Sequence, residues 1–213
     1  MLSFSRLGAL AGVVVGLAKL PTAVLALDNG VGKLPAMGFN SLSLPKANLT
    51  EAAMREAANL MATLGLRDLG YSYVNFDSGW AIPNRGADGE LVADPGRFPS
   101  GMRALTDFIH SLDLKAGIYG SSGWFFCDGV QPGSFSNELK DVQQWQISWG
   151  FDYVKLLIAP FDDVSREGPA GLYQRTADAI AQVSQEFFRT PMFLSLGGAA
   201  VSVTPLWTAK SSR

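Results

Sequence analysis

Phe151-Asp152-Tyr153-Val154-Lys155-Leu156-Leu157-Ile158-Ala159 decides how the rest of the chain is understood. The run reads as a buried parallel strand whose far end carries a lysine and then only hydrocarbon. In an α/β barrel the carboxyl ends of the strands face the substrate, so polar residues there point to chemistry and apolar ones to packing. Lys155 is polar, whereas Leu156, Leu157, Ile158 and Ala159 supply no nucleophile, acid or base.

Outward from this strand, short β-rich runs alternate with longer helical stretches, the signature of βα units around a parallel sheet. Strands are predicted at 35–41, 71–78, 115–121, 151–159 and 191–197. Between the first two, Met54, Ala57, Ala58, Met61 and Leu64 recur at helical spacing and form an expected core face. Further helices are predicted over 101–112, 137–148 and 170–188, and residues 83–99, with Asp88-Gly89 at the turn, read as a hairpin inserted in a βα loop. The expected fold is therefore α/β, of the (β/α)8 TIM-barrel type. A closed barrel takes eight strands and typically ~250 residues, and residues 27–213 have room for about five units, so an incomplete barrel is expected. Open parallel edges invite aggregation unless covered.

The chain has 213 residues and a formal net charge of −2, which gives no reason to expect nucleic acid or another polyanion as a partner. Arg6, an apolar run over 7–18 and the small residues near Val24-Leu25-Ala26 predict a signal peptide over 1–26, cleaved before Leu27, and hence a secreted, extracellular protein. A signal anchor is the alternative. Lys19 and Pro21 interrupt the run, which falls short of the ~20 residues that cross a bilayer, so no stable membrane insertion is expected. Cys127 is the single cysteine and cannot form an internal bridge: it is buried, free or paired with another molecule. Asn48-Leu49-Thr50 is a glycosylation sequon, and the same residues suit a cap for the helix beginning near Glu51; both readings stand.

Several chemistries lack their residues. There is no GxGxxG after a strand, no Walker loop and no GxSxG elbow. His110 is the only histidine and reads as a helix-end residue, not a triad base; one His and one Cys are too few for a closed zinc site, so no metal or cofactor is expected. What remains at predicted strand ends is Asn40, Asp77, Ser78, Trp80, Ser121, Trp124 and Lys155. Carboxylates there can hold sugar hydroxyls and aromatic faces can stack on pyranose rings, while loop capping and core packing are the plainer roles for each.

Asn75-Phe76-Asp77-Ser78-Gly79-Trp80, Asp94-Pro95-Gly96-Arg97-Phe98-Pro99-Ser100-Gly101, Lys115-Ala116-Gly117-Ile118-Tyr119 and Trp149-Gly150-Phe151-Asp152-Tyr153-Val154-Lys155, in this order, resemble secreted α-galactosidases of glycoside hydrolase family 27. The resemblance runs from about residue 27 to the end. It implies a (β/α)8 barrel, normally followed by a β-sandwich, that removes terminal α-linked galactose with retention and without metal. Retaining chemistry needs two carboxyl groups roughly 5–5.5 Å apart. The family's fourth strand typically reads Lys-Tyr-Asp-Asn-Cys, and matching on Lys155 puts Leu157 at the nucleophilic aspartate. The acid/base aspartate follows a segment that Ser211-Ser212-Arg213 faintly resembles, so it is expected beyond Arg213; no catalytic residue is assigned. Asp-Asp-Cys-Trp becomes Asp77-Ser78-Gly79-Trp80, and Ser-Asp-Ala-Gly becomes Gly120-Ser121-Ser122-Gly123. The cysteine partner implied for Cys127 falls at Ala159, and a fifth-strand Ser-Leu-Cys-Glu-Trp-Gly becomes Ser195-Leu196-Gly197-Gly198-Ala199-Ala200. Asp77 and Lys155 carry over as sugar-binding positions, with Trp80 as a third. The expectation is an α-galactosidase-like chain without hydrolysis, its partner an α-galactoside or galactose. The alternatives are a non-catalytic galactoside-binding module and a fragment of a longer α-galactosidase. No oligomeric state is read from the sequence.

Overall fold

The computed structural model describes residues 30–45, 48–159 and 168–197. The signal segment, the end of the fifth-strand motif and Ser211-Ser212-Arg213 lie outside these residues. Five strands, β1 (Gly38–Asn40), β2 (Tyr73–Phe76), β3 (Lys115–Ser121), β4 (Tyr153–Leu157) and β5 (Phe193–Leu196), form one sheet in chain order. Every neighbouring pair is parallel. Because each crossover advances the same way and parallel crossovers are right-handed, the connecting helices are directed to one face.

That outer face is the core. Val74, Phe76, Ala116, Ile118, Val154 and Leu156 alternate along the strands and are buried beneath helical side chains. Helix α1 (Glu51–Thr63) begins at Thr50, whose Oγ1 accepts the Ala53 N–H at 3.2 Å, so Thr50 and not Asn48 is the cap. Met54, Ala58 and Met61 are buried as the spacing predicts, Ala57 is half-buried, and Leu64 is exposed. The helix has ended before it, and Gly65, at φ +74°, reverses the chain and turns Leu64 outward. Helix α2 (Gly101–Ser111) buries Met102, Leu105, Thr106 and Ile109, an i, i+3, i+4, i+7 face.

The helix predicted over 137–148 is only partly regular. Helix α3 (Glu138–Gln143) gives way to a π-helical turn over Gln144–Ser148, closed by the Trp149 N–H on the Gln144 carbonyl at 2.8 Å. The wider turn buries Gln144, Trp145 and Gln146 together. Gln144 uses this position to accept the Leu91 N–H at 3.0 Å and donate to the Leu91 carbonyl at 2.8 Å. A hairpin with Asp88-Gly89 at its turn is present but covers residues 80–94 and not 83–99: Asp94 N–H to Trp80 carbonyl at 2.8 Å, Ile82 N–H to Val92 carbonyl at 2.9 Å and Gly86 N–H to Glu90 carbonyl at 2.9 Å. Helix α4 (Gly168–Glu186) precedes β5. No described helix is long and apolar enough to cross a membrane.

His110 sits in the last turn of α2 and its Nε2 lies 2.8 Å from Asp152 Oδ2, which also accepts the Ala116 N–H at 2.9 Å. One carboxylate thus ties α2 to the starts of β3 and β4. The Asp152 hydrogen bond raises the His110 pKa above its ordinary 6.5, against partial burial and Arg103, with the charges of Asp152 and Asp107 assisting. A basic group whose folded-state pKa lies above its unfolded value stabilises fully below the unfolded value and loses that contribution as pH rises through the folded one. Urea unfolding followed from pH 6 upward is therefore expected to show a stability decline that the His110→Ala variant lacks. An equal slope in both proteins rules the clamp out. The pair is well exposed to solvent, so the decline is small.

Candidate functional site

The other face of the sheet carries the side chains one position out of phase with the core: Asn75 and Asp77, Tyr119 and Ser121, Lys155 and Leu157, and Ser195. A barrel places its polar groups at this face and end. Asp77 follows β2 directly and Lys155 lies within β4, with β3 between them. Lys155 Nζ donates to Asp77 Oδ2 at 2.8 Å; the two side chains are 22% and 6% exposed. The ammonium also stands 5.9 Å from the centre of the Tyr119 ring, the strand neighbour with which Lys155 pairs in register.

Asp77 is fixed from three sides. Its N–H donates to Ser41 Oγ at 2.8 Å, its Oδ1 accepts the Ser78 N–H at 2.9 Å, and its Oδ2 meets Lys155. Ser41 opens the 3-10 turn Ser41–Ser43, which is capped by Asn40 Oδ1 accepting the Leu42 N–H at 2.8 Å. Asn40 therefore shapes the loop that presents Ser41. Tyr119 is buried, its hydroxyl accepts the Cys127 N–H at 3.4 Å, and burial raises its pKa, so it stays a neutral phenol. Neither Ser41 nor Tyr119 was singled out from the sequence. Tyr119 closes the Lys115-to-Tyr119 motif, whereas nothing local marks Ser41.

Trp80 is placed differently from the expectation. Its ring is fully buried, its Nε1 donates to the Tyr119 carbonyl at 2.9 Å, and Phe126 and Trp149 pack against it at 5.8 and 5.5 Å between centroids. It is a wall beneath Tyr119, with no face open for stacking on a sugar. The left-handed Gly79, at φ +105°, turns the chain inward after Ser78 and so carries Trp80 into the core. Trp124 is 49% exposed and leans on Phe135 at 4.5 Å between ring centroids. Ser121 is buried and its Oγ accepts the Gly123 N–H at 3.2 Å, shaping its own loop.

Leu157 ends β4 opposite Ser121 in register, and its carbonyl accepts the Ser122 N–H at 2.9 Å. A methyl group of Leu157 fills the space beside Gly197, where a Cβ would meet it at 2.5 Å. Among the described strand positions facing this side, Asp77 is the sole carboxylate. The arrangement offers one hydrogen-bond acceptor and one cationic donor side by side, suited to a pair of vicinal hydroxyls, and the described residues add no second carboxyl for a displacement at carbon. Cys127 is a partly exposed free thiol, and Ala159 is buried. No group of three metal-ligating side chains occurs among the described residues. A separate cleft of about 370 Å³, lined by Tyr73, Lys115, Asp152, Arg189 and Phe193 among others, lies at the amino ends of the strands, opposite to the Asp77–Lys155 pair.

Comparison with known proteins adds to this geometry. The family described as Alpha galactosidase A, the melibiase family, matches residues 40–188. An alpha-galactosidase from Coffea arabica is 45% identical over 129 residues, 61% of this chain and 34% of its own length. Alpha-galactosidase 3 of Arabidopsis thaliana is 38% identical over 166 residues, 77% of this chain and 36% of its own. Among solved structures, alpha-galactosidase I from Mortierella vinacea superposes with a TM-score of 0.71 at 36% identity over 80% of this chain and 42% of that one. The Saccharomyces cerevisiae enzyme, solved with raffinose, gives 0.71 at 31% identity, covering 80% of this chain and 36% of that one. The chain spans about a third to two fifths of the length of these relatives.

Proposed function

The chain belongs to the melibiase (alpha galactosidase A) family, its five parallel strands forming part of that family's (β/α)8 barrel, and on this premise we propose that it recognises an α-galactoside without hydrolysing it. The observation that carries the reading is the Asp77–Lys155 pair at the carboxyl end of the sheet, beside a leucine where the nucleophile is expected. Lys155 donates and Asp77 accepts, so two adjacent sugar hydroxyls are satisfied together. Leu157 has no lone pair for covalent attack, and positioned acid–base assistance, worth roughly 10²–10⁴-fold where present, finds no second carboxyl beside Asp77 among the described residues.

An aryl α-galactoside is expected to give no turnover above an empty-vector control. Turnover that disappears in Asp77→Ala overturns the claim of inactivity. Calorimetry with galactose and melibiose tests recognition: heat above dilution at millimolar sugar, lost in Asp77→Ala, supports it, and its absence in the wild type rejects it. The alternative, a fragment of a longer hydrolase, is favoured by the share of the relatives that the chain spans. A native transcript whose frame runs on past the codon for Arg213 and restores an aspartate at both the fourth-strand position of Leu157 and the sixth-strand position decides for it. The same reading takes the protein as secreted, with residues 1–26 removed and the exposed Asn48 glycosylated. A loss of mass on enzymatic deglycosylation of protein from the medium tests that.

A further inference from the structure

Residues 94–101 stand out in the sequence, yet they supply no group to the Asp77–Lys155 pair. Their contacts converge on the turn that carries Asp77. Arg97 Nη1 donates to the Gly79 carbonyl at 3.0 Å, and its Nε lies 3.4 Å from Asp94 Oδ2. The Asp94 N–H donates to the Trp80 carbonyl at 2.8 Å, so two successive carbonyls of the turn are held by one short segment. That segment is itself anchored to the start of α1: the Glu51 N–H donates to the Arg97 carbonyl at 2.8 Å, and Glu51 Oε2 accepts the Ser100 N–H at 3.0 Å.

We propose that Arg97 is a positioning residue for the sugar-binding carboxylate, bracing turn 77–80 against the amino end of α1 so that Asp77 is held beside Lys155. The function of this brace rests on the galactoside reading above, but the brace itself does not. Gly79 has φ +105°, in the region open mainly to glycine, so the turn reverses the chain sharply and needs an external hold to keep one geometry. The Asp77 carboxylate accepts the N–H of Ser78, the next residue of the turn, so turning the backbone at Gly79 turns the carboxylate with it. A planar guanidinium engages the Gly79 carbonyl and Asp94 at once, whereas a lysine ammonium reaches one or the other.

Amide hydrogen exchange reads the brace without any sugar. Arg97→Met is expected to speed exchange at the Asp77 and Ser78 amides about tenfold, the size of one lost charge-assisted hydrogen bond, and to leave the β4 amides unchanged. In calorimetry with methyl α-galactoside the same variant should bind about tenfold more weakly, again the effect of one such bond. Arg97→Lys should recover part of both. Arg103→Met, which removes an arginine held by Asp107 on α2, should alter neither. Unchanged exchange at Asp77 and Ser78 in Arg97→Met, or a rise spread evenly over the sheet, overturns the proposal, as does full affinity alongside locally raised exchange. Raised local exchange in a protein whose wild type binds no galactoside supports the brace and overturns the sugar reading alone.

Discussion

Arg85→Met is expected to destabilise the chain by about 3–5 kcal/mol, the range found when one partner of a buried ion pair is removed. Arg85 grips Asp141 through two parallel bonds, Nη1 to Oδ1 at 2.6 Å and Nη2 to Oδ2 at 2.7 Å, and Asp141 has no exposed surface. The same guanidinium donates to the carbonyls of Gly89 at 2.9 Å and Gly133 at 2.8 Å, fastening the 80–94 hairpin to α3 and to the loop after β3. Methionine keeps the packing of the stem and removes every donor. Burial already pushes the Asp141 carboxyl above its ordinary 3.8, with Arg85 opposing. Without Arg85 the main opposition to that push is gone and only the Ser134 hydroxyl still lowers the pKa, so the folded variant binds more protons than its unfolded state, and its stability increases as pH falls from neutrality. Urea unfolding at pH 7 and pH 5 checks both points. A loss below about 1 kcal/mol places the pair among surface ion pairs and refutes the anchoring role. Arg85→Met with Asp141→Leu should recover part of the loss, since a buried pair is often replaceable by hydrocarbon, but not the two carbonyl bonds.

Trp80→Ala is expected to cost a similar amount, about 3–5 kcal/mol, as large aromatic truncations in a packed core do. The indole fills the space among Phe126, Trp149 and Tyr119 and donates its one N–H to the Tyr119 carbonyl. Because Tyr119 lies under Lys155, the cavity opens directly beneath the proposed sugar contacts. Trp80→Phe should retain more than half of the packing and lose the donor, and so fall between wild type and alanine in urea midpoint. If Trp80 were instead an exposed platform for a sugar ring, alanine would leave the midpoint almost unchanged and reduce binding alone. Against total stabilities of about 5–15 kcal/mol for a domain, either substitution removes a large share of the margin that keeps the chain folded.

Both effects arise from residues whose roles were hard to read along the chain. The strand positions were legible: five apolar or alternating runs became five strands, with β3 spanning all of the predicted 115–121 and the others trimmed at their ends. The α1 stripe was legible up to Met61, and His110 was recognisable as a helix-end residue. Leu64 was misread because the periodic pattern continues one residue past Thr63, where the helix ends just ahead of the reversal at Gly65. The π-helical turn escaped because the side chains of Gln144–Ser148 fit an ordinary helix, and what widens the turn is the demand to bury Gln144 against Leu91. Within the candidate site, Asp77 and Lys155 were named from their positions at strand ends, and Trp80 was named for a stacking role that its burial does not allow.

What the sequence by itself determined is whatever follows from covalent structure within a few residues. Period-two and helical patterns reflect where successive Cβ atoms point, so they predict five βα units with no knowledge of the rest of the chain. Leu157 is likewise a hydrocarbon in any fold, and no packing makes it a nucleophile. Tertiary structure decided the pairings: Asp77 with Ser41 across 36 positions, Arg85 with Asp141 across 56, and Asp77 with Lys155 across 78. These depend on the register of parallel strands joined by long crossovers, where a shift of one residue sends each side chain to the opposite face of the sheet. An aspartate at a strand end therefore becomes a sugar contact, a core anchor or a loop cap only when distant strands and loops close around it.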